Sequence, residues 1–328
     1  MAKSLAPQTV ALDGTPLATG HGGIRRYVAE LYRALVQEFP DRRFLTMTDQ
    51  DNRARGWLAR RWWLAGVQQE MRRVGADLFH GGDFTVPYVP SRPSVMTVHD
   101  LSPWRFPNAS ARVRVRTPAL LRLGLATMVI TPTEAVRREV VDFFRIAPQR
   151  VTAVPLAAGP EFRPVKGPPA QRPYFLYVGS TESRKNLDML KGVWRELRAA
   201  YEVDLRVTGE GEYVPEEELP SLYSGAIACL YPSLYEGFGL PVLEAMQCGT
   251  AVIAANTPAV AEVAGDAALL LPARDRHAWR QAMEAALLGG RRGEWRARGV
   301  ARAAQFSWPS TAHKTFAVYE EAMRRFHA

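Results

Sequence analysis

Short apolar runs of strand length alternate with amphipathic stretches along most of the chain. Val10 to Leu12 is the first such run, and it leads into a glycine-rich turn, Gly20-His21-Gly22-Gly23. Behind the turn, Ile24, Tyr27, Val28, Leu31 and Leu35 recur at the helical period and predict a helix with one buried face. Asp77-Leu78-Phe79 then delivers His80, and Val95 to Val98 delivers His99-Asp100. Met128 to Ile130 and Val151 to Pro155 continue the series. Strand and helix repeated in this way imply a parallel sheet with helices on both faces.

The pattern breaks at Arg163 to Pro173, where four prolines and a glycine read as a linker. It then restarts. Tyr174 to Val178, Asp204 to Val207, Ala226 to Tyr231, Ala251 to Ala254 and Ala267 to Leu271 are predicted strands. Helices are predicted over Asn186 to Ala199, Glu216 to Ser224, Ala259 to Ala264 and Arg276 to Leu288. One more begins with Pro241 in its first turn, where a missing N–H costs nothing, and closes at Gly249. A last helix follows Trp308-Pro309. The expectation is an α/β protein of two Rossmann-like domains, residues 1–165 and 166–308, with parallel sheets that face each other across a cleft.

Composition narrows this only a little. The 328 residues are 47% apolar and 23% charged, which suits two globular domains with a core each. No apolar run approaches the ~18 residues of a membrane span. The first ten residues carry one lysine and no long apolar stretch, unlike a signal peptide. Two cysteines, Cys229 and Cys248, cannot build a disulfide framework and suit a reducing, cytoplasmic setting. The net charge of +9 sets 42 basic residues, 37 of them arginines and only five lysines, against 33 acidic ones. No nucleic-acid recognition module accompanies that charge.

In open parallel sheets, ligands bind beyond the carboxyl ends of the strands. Four polar clusters fall there: Gly20 to Gly23, His80-Gly81-Gly82-Asp83, His99-Asp100, and Ser180 to Asn186. A lone histidine is ordinarily a hydrogen-bonded structural residue. His99 is the better functional candidate, because an apolar run delivers it and a carboxylate follows. Gly179 to Asn186 opens a helix directly after a strand, so its amides with Arg184 and Lys185 suit either a diphosphate or a solvated basic turn. No GxGxxG fingerprint or P-loop occurs. The richest stretch is Pro232 to Glu244, which sets Glu236 in a glycine-rich turn and Glu244 one turn into the following helix. Two carboxylates eight positions apart could equally be helix caps; their setting in EGFGLPVLEAM is far more specific.

These motifs resemble glycosyltransferase family 4, retaining enzymes of the GT-B fold that use nucleotide sugars. GGIRRY at 22–27, LFHGGDFTVP at 78–87, VMTVHDLSPWRFP at 95–107, RKN at 184–186, the run from Pro232 to Pro272, and FSW at 306–308 all contribute. The resemblance implies that the helix over 309–328 returns to the first, acceptor domain, and that 166–308 is the donor domain. It implies a catalytic set of His99, Glu236, Arg184 and Lys185. Arg184 and Lys185, beside Ser180, would grip the diphosphate, assisted by the amides of Gly22 and Gly23. Glu236 and the backbone of Gly237, Phe238, Gly239 and Leu240 would hold the sugar, Glu244 the ribose, and His99 would sit beside the transferred sugar. A GDP- or UDP-linked hexose, mannose as the first choice, would pass to a glycan or lipid-linked acceptor, with no cofactor and no essential metal.

The chain departs from that pattern between Gly209 and Leu219, where relatives carry a further helix and strand that help to hold the nucleobase. Asp49-Gln50-Asp51 matches a metal-binding DxD but lies in a polar loop far from the donor motifs, and reads as solvated. Arg53 to Arg73 mixes arginines with Trp57, Trp62 and Trp63, and Arg112, Arg114 and Arg116 follow. That run suits a peripheral contact with the cytoplasmic membrane face, or, as the ordinary outcome, a core helix with an arginine-rich outer side. Two rival functions share the architecture: a non-catalytic nucleotide-sugar-binding subunit and a nucleotide-sugar epimerase.

Overall fold

A computed structural model of the chain describes residues 6–18, 22–51, 61–106, 111–166, 171–210 and 214–327. Backbone packing divides it into two units, 1–156 with 308–328, and 157–307.

The first unit is built on a six-stranded, wholly parallel sheet of order β2-β1-β3-β4-β5-β6. Its strands are β1 (Thr9–Asp13), β2 (Arg43–Met47), β3 (Leu78–Gly81), β4 (Ser94–Thr97), β5 (Met128–Thr131) and β6 (Val151–Ala153). Helices α1 (Gly23–Glu38), α2 (Val67–Val74), α3 (Ser102–Arg105), α4 (Ala111–Arg122) and α5 (Glu134–Phe144) connect them. The strands β3, β4 and β5 are buried along their whole length, which is why each reads as a short apolar run and not as an alternating pattern. The C-terminal helix, Trp308–His327, packs on α1, with Phe39 and Phe316 stacked at 4.1 Å and the Thr311 hydroxyl donating to the Pro155 carbonyl at 2.7 Å.

The second unit has a five-stranded parallel sheet of order β11-β10-β9-β7-β8. The strands are β7 (Tyr174–Val178), β8 (Asp204–Thr208), β9 (Cys229–Tyr231), β10 (Val252–Ala255) and β11 (Leu269–Leu271). The helices are α6 (Leu187–Arg198), α7 (Leu219–Gly225), α8 (Leu240–Gln247), α9 (Pro258–Ala264), α10 (Arg276–Leu287) and α11 (Arg292–Ala303). Its main core sets Phe175, Tyr177, Leu230 and Ile253 of the sheet against Leu190, Leu197, Trp279 and Met283 of α6 and α10. The segment read as a linker belongs to this unit: the Val165 N–H donates to Ser224 Oγ at 3.0 Å.

The elements that were not predicted include β2 and α11, and also α3, α4 and α5. Strand β2 buries only Phe44 and Met47 and takes its place as an edge strand by pairing with β1. Of the polar residues weighed as decoys, Asp49 and Gln50 are exposed, in a short turn after β2. Trp62 is buried with Val67, Met71 and Phe79, so this part of the arginine-rich run is core. Gly20, His21 and Trp57 lie outside the described residues.

Candidate active site

Both sheets reverse their strand order once, between β1 and β3 in the first unit and between β7 and β9 in the second. Connections on either side of such a reversal leave in opposite directions and open a crevice at the carboxyl ends of the strands. The residues singled out from the sequence gather at these two places.

In the second unit, the turn after β7 and the loop after β9 are tied together through the main chain. The Leu234 N–H donates to the Arg184 carbonyl at 2.8 Å. Asn186, in the left-handed region at φ 56°, donates from its amide to the carbonyls of Ala273 (2.8 Å) and Pro232 (3.2 Å). This frame brings Lys185 Nζ to 2.6 Å from Glu236 Oε1, and Arg184 Nη1 to 3.4 Å from Oε2. Arg184 Nε also donates to Glu182 at 2.8 Å, and Ser180 Oγ to the other oxygen of Glu182 at 3.0 Å. Burial alone would raise the Glu236 carboxyl; the charges of Lys185 and Arg184 and the hydrogen bond from Lys185 outweigh it and hold the carboxyl below its ordinary range. Burial, followed by the Glu236 charge, pushes the nearby Tyr231 phenol well up, so it stays neutral under the Lys185 ammonium, 5.8 Å from its ring centre.

Beyond Glu236 the chain enters α8 through Gly239 at φ 96°, a conformation only glycine takes without strain. The N–H groups of Phe238, Gly239 and Leu240 have no backbone acceptor among the described residues. Phe238 itself is buried, edge-on to Phe306. Glu244 is 1% exposed, and its Oε2 accepts from the Tyr223 hydroxyl at 2.9 Å. Tyr223 is a partner that sequence reasoning missed, because it lies on another helix with no local signal to join them.

In the first unit, Gly22 and Gly23 open α1, and among the described residues no atom beyond their chain neighbours and the helix's own backbone lies within 4 Å of where a side chain would start. His80, the last residue but one of β3, is fully buried, hydrogen-bonded through Nδ1 to the Tyr319 hydroxyl (2.7 Å) and through Nε2 to Thr97 Oγ1 (2.8 Å). Burial, followed by the nearness of His99, lowers its pKa to about 3, so the ring is neutral. His99 is half-buried. Its Nε2–H donates to the Gly82 carbonyl at 2.8 Å, and its ring meets the Tyr27 ring at 4.9 Å and 85°. The loop carrying Gly82 folds tightly: a Cβ on Gly81 would fall 1.6 Å from the Thr85 carbonyl oxygen. Asp83 belongs to the same cluster; burial raises its carboxyl, His99 opposes, and Asp13 and Asp100 add to the rise. Arg116 turns inward, donating to the Phe84 carbonyl at 3.2 Å.

Two family descriptions match the chain, "Glycosyltransferase Family 4" over residues 21–161 and "Glycosyl transferases group 1" over 172–288. The O-antigen chain mannosyltransferase B of Escherichia coli is 33% identical over 286 residues, 74% of each chain. Among solved structures, sucrose-phosphate synthase from Thermosynechococcus elongatus superposes with a TM-score of 0.75 at 20% identity, covering 96% of this chain and 98% of that one. HepE from Anabaena, in complex with UDP and glucose, gives 0.70 at 14% identity, covering 94% and 98%. These likenesses show the fold, GT-B, with two parallel-sheet α/β units.

Proposed function

Because the chain belongs to glycosyltransferase family 4 and is therefore a sugar-transferring enzyme, we propose that it moves mannose from GDP-mannose to a glycan or lipid-linked acceptor, with retention of configuration and no essential metal. The observation that carries the donor side is the pairing of Arg184 and Lys185 with Glu236 beside the opening amides of α8. As a glycosidic bond breaks, positive charge grows on the sugar and negative charge on the departing diphosphate. Fixed cations aimed at that diphosphate act selectively on the transition state, and one such donor is typically worth ~2.7–4 kcal/mol in a dry site. Lys185 commits one of its three ammonium hydrogens to Glu236, which leaves others for phosphate oxygens. Glu236 and the amides of Phe238, Gly239 and Leu240 are assigned to the sugar, Glu244 to the ribose, and His99 to the transfer step.

Mannose is chosen because the Escherichia coli relative is named a mannosyltransferase. UDP-sugars are the second choice, since HepE is described with UDP and glucose. A transferase fits the family better than the epimerase or the non-catalytic subunit considered from sequence. The α4 helix and the residue after it support a peripheral membrane contact: Arg112, Val115, Ala119 and Arg122, with Leu123 continuing the last turn, are all exposed and fall within about 100° of the helix circumference. Among the described residues, no helix is long and apolar enough to cross a membrane.

The test is a thermal-shift and turnover series with GDP-mannose and UDP-glucose. GDP-mannose should raise the melting temperature and be consumed with and without EDTA, giving an α-linked product by NMR. Stabilisation by UDP-glucose alone would overturn the donor, and loss of turnover in EDTA the metal-free chemistry.

A further inference from the structure

Four polar side chains in the first unit form one unbroken hydrogen-bonded chain: Tyr319, His80, Thr97 and Tyr27. The links are 2.7 Å from Tyr319 to His80, 2.8 Å from His80 to Thr97, and 2.9 Å from Thr97 to Tyr27. None of the four is more than 1% exposed. A core built for stability alone has no use for them, because every buried hydroxyl and ring nitrogen costs desolvation free energy that its hydrogen bond only about restores. Such a network fixes one arrangement of its members. The chain ends on Tyr27, whose ring abuts His99 in an edge-to-face contact. A second hold on His99 is the Gly82 carbonyl, in the loop that leaves β3 two residues after His80. Two of the contacts on the His99 ring thus come from the end of this hydrogen-bonded chain and from the loop that follows His80.

We infer that Tyr319, His80, Thr97 and Tyr27 act as a positioning relay for His99, which makes the C-terminal helix part of the apparatus that orients this ring. The inference rests on the reading of His99 as a transfer residue. A neutral His80 has one donor and one acceptor nitrogen, so it accepts from one of its two hydroxyl partners and donates to the other. Phe at position 319 would keep the ring and remove the hydroxyl, leaving His80 Nδ1 without its partner. His80, Thr97 and Tyr27 would then be free to shift, and His99 with them. Displacement of a reacting group by about 1 Å costs on the order of 100-fold in rate.

The experiment is a double-mutant cycle on the full chain, with GDP release from GDP-mannose as the kinetic readout and the His99 ring resonances, in histidine-labelled protein, as a second readout that needs no turnover. Tyr319→Phe and Thr97→Val should each lower kcat about 10- to 100-fold with the donor KM little changed. Thr97→Ser, which keeps the hydroxyl, should restore most of it. Both damaging variants should move the His99 resonances, and in a His99→Ala background Tyr319→Phe should have no further kinetic effect. Unmoved resonances in both variants, or the same Tyr319→Phe loss with and without His99, would overturn the relay. If His99→Ala itself keeps full activity, the reading of His99 as a transfer residue fails, whatever the resonances show. Thermal melts separate these outcomes from unfolding, and Thr97→Val serves if Tyr319→Phe does not fold.

Discussion

Lys185 Nζ stands 2.6 Å from Glu236 Oε1 where β7 and β9 part, with side-chain exposures of only 11% and 8%. Breaking such a buried pair from one side leaves an uncompensated charge and typically costs about 3–5 kcal/mol, whereas removing both partners costs far less. Arg184 moderates the loss here. Lys185→Ala should therefore melt at lower temperature and lose transfer by orders of magnitude. The double variant Lys185→Ala/Glu236→Gln should regain much of the stability and none of the activity. Recovery of activity in the double variant would remove Lys185 from the donor site. Because the Glu236 carboxyl lies below its ordinary value of 4.5, its stabilising contribution is complete above that pH and is lost as pH falls through the lowered value. Acid melts should show that loss in wild type and not in Glu236→Gln.

The His80 imidazole gives a second pH signature with a different window. Its pKa falls from an ordinary 6.5 to about 3, so between those values the unfolded chain binds a proton that the folded chain refuses. Stability must then rise with pH across that window and level off above it. From pH 7 to pH 5 the wild type should lose about 2 kcal/mol through this group alone, at 1.36 kcal/mol per unit. Urea melts at the two pH values should show the loss, and His80→Gln should abolish that slope. An unchanged slope in His80→Gln would mean the ring is hydrated when the chain is folded.

Much of this architecture was legible because parallel strands buried on both faces are nearly continuous apolar runs. Tyr174 to Val178 is a case where the predicted and observed limits agree. The misses share a physical cause. Strand β2 has one polar edge and needs β1 beside it, and α11 buries only Trp295, Gly299 and Ala303 among its arginines. The sequence motifs announced Glu236 and Lys185 but not their contact, which depends on β7 and β9 being neighbours across about fifty residues of chain. Nor could local pattern connect His80 with Tyr319, 239 positions apart, or Glu244 with Tyr223.

Two glycines, one open and one crowded, separate folding from ligand approach. Among the described residues a methyl group on Gly23 meets nothing within 4 Å outside its own helix and chain neighbours, and the residue lies at the first position of α1. Gly23→Ala should fold normally and gain up to about 1 kcal/mol from the less flexible unfolded chain. If a phosphate approaches that backbone, the same variant should weaken donor binding. Gly81→Ala places a methyl group 1.6 Å from the Thr85 carbonyl oxygen and should destabilise the first unit outright. Calorimetry of both variants with and without GDP-mannose distinguishes the effects. A Gly23→Ala protein that binds donor as wild type does would take the α1 amides out of the site.

The outer face of α4 makes a prediction that no donor assay would reach. Val115 and Leu123 are 79% and 71% exposed, Arg112 and Arg122 share their face, and the helix has no acidic residue. An apolar stripe edged by arginine suits the interface of an anionic bilayer, where each basic residue near the surface is worth about 1 kcal/mol. Vesicles of mixed anionic and neutral lipid should pellet the protein, and neutral vesicles should not. Val115→Ser/Leu123→Ser should weaken pelleting through lost apolar contact, and Arg112→Gln/Arg122→Gln through lost charge, with salt mimicking only the second change. Equal binding to neutral vesicles, or binding untouched by all four substitutions, would show that this face is a solvated helix surface and that any lipid-linked acceptor must be met elsewhere.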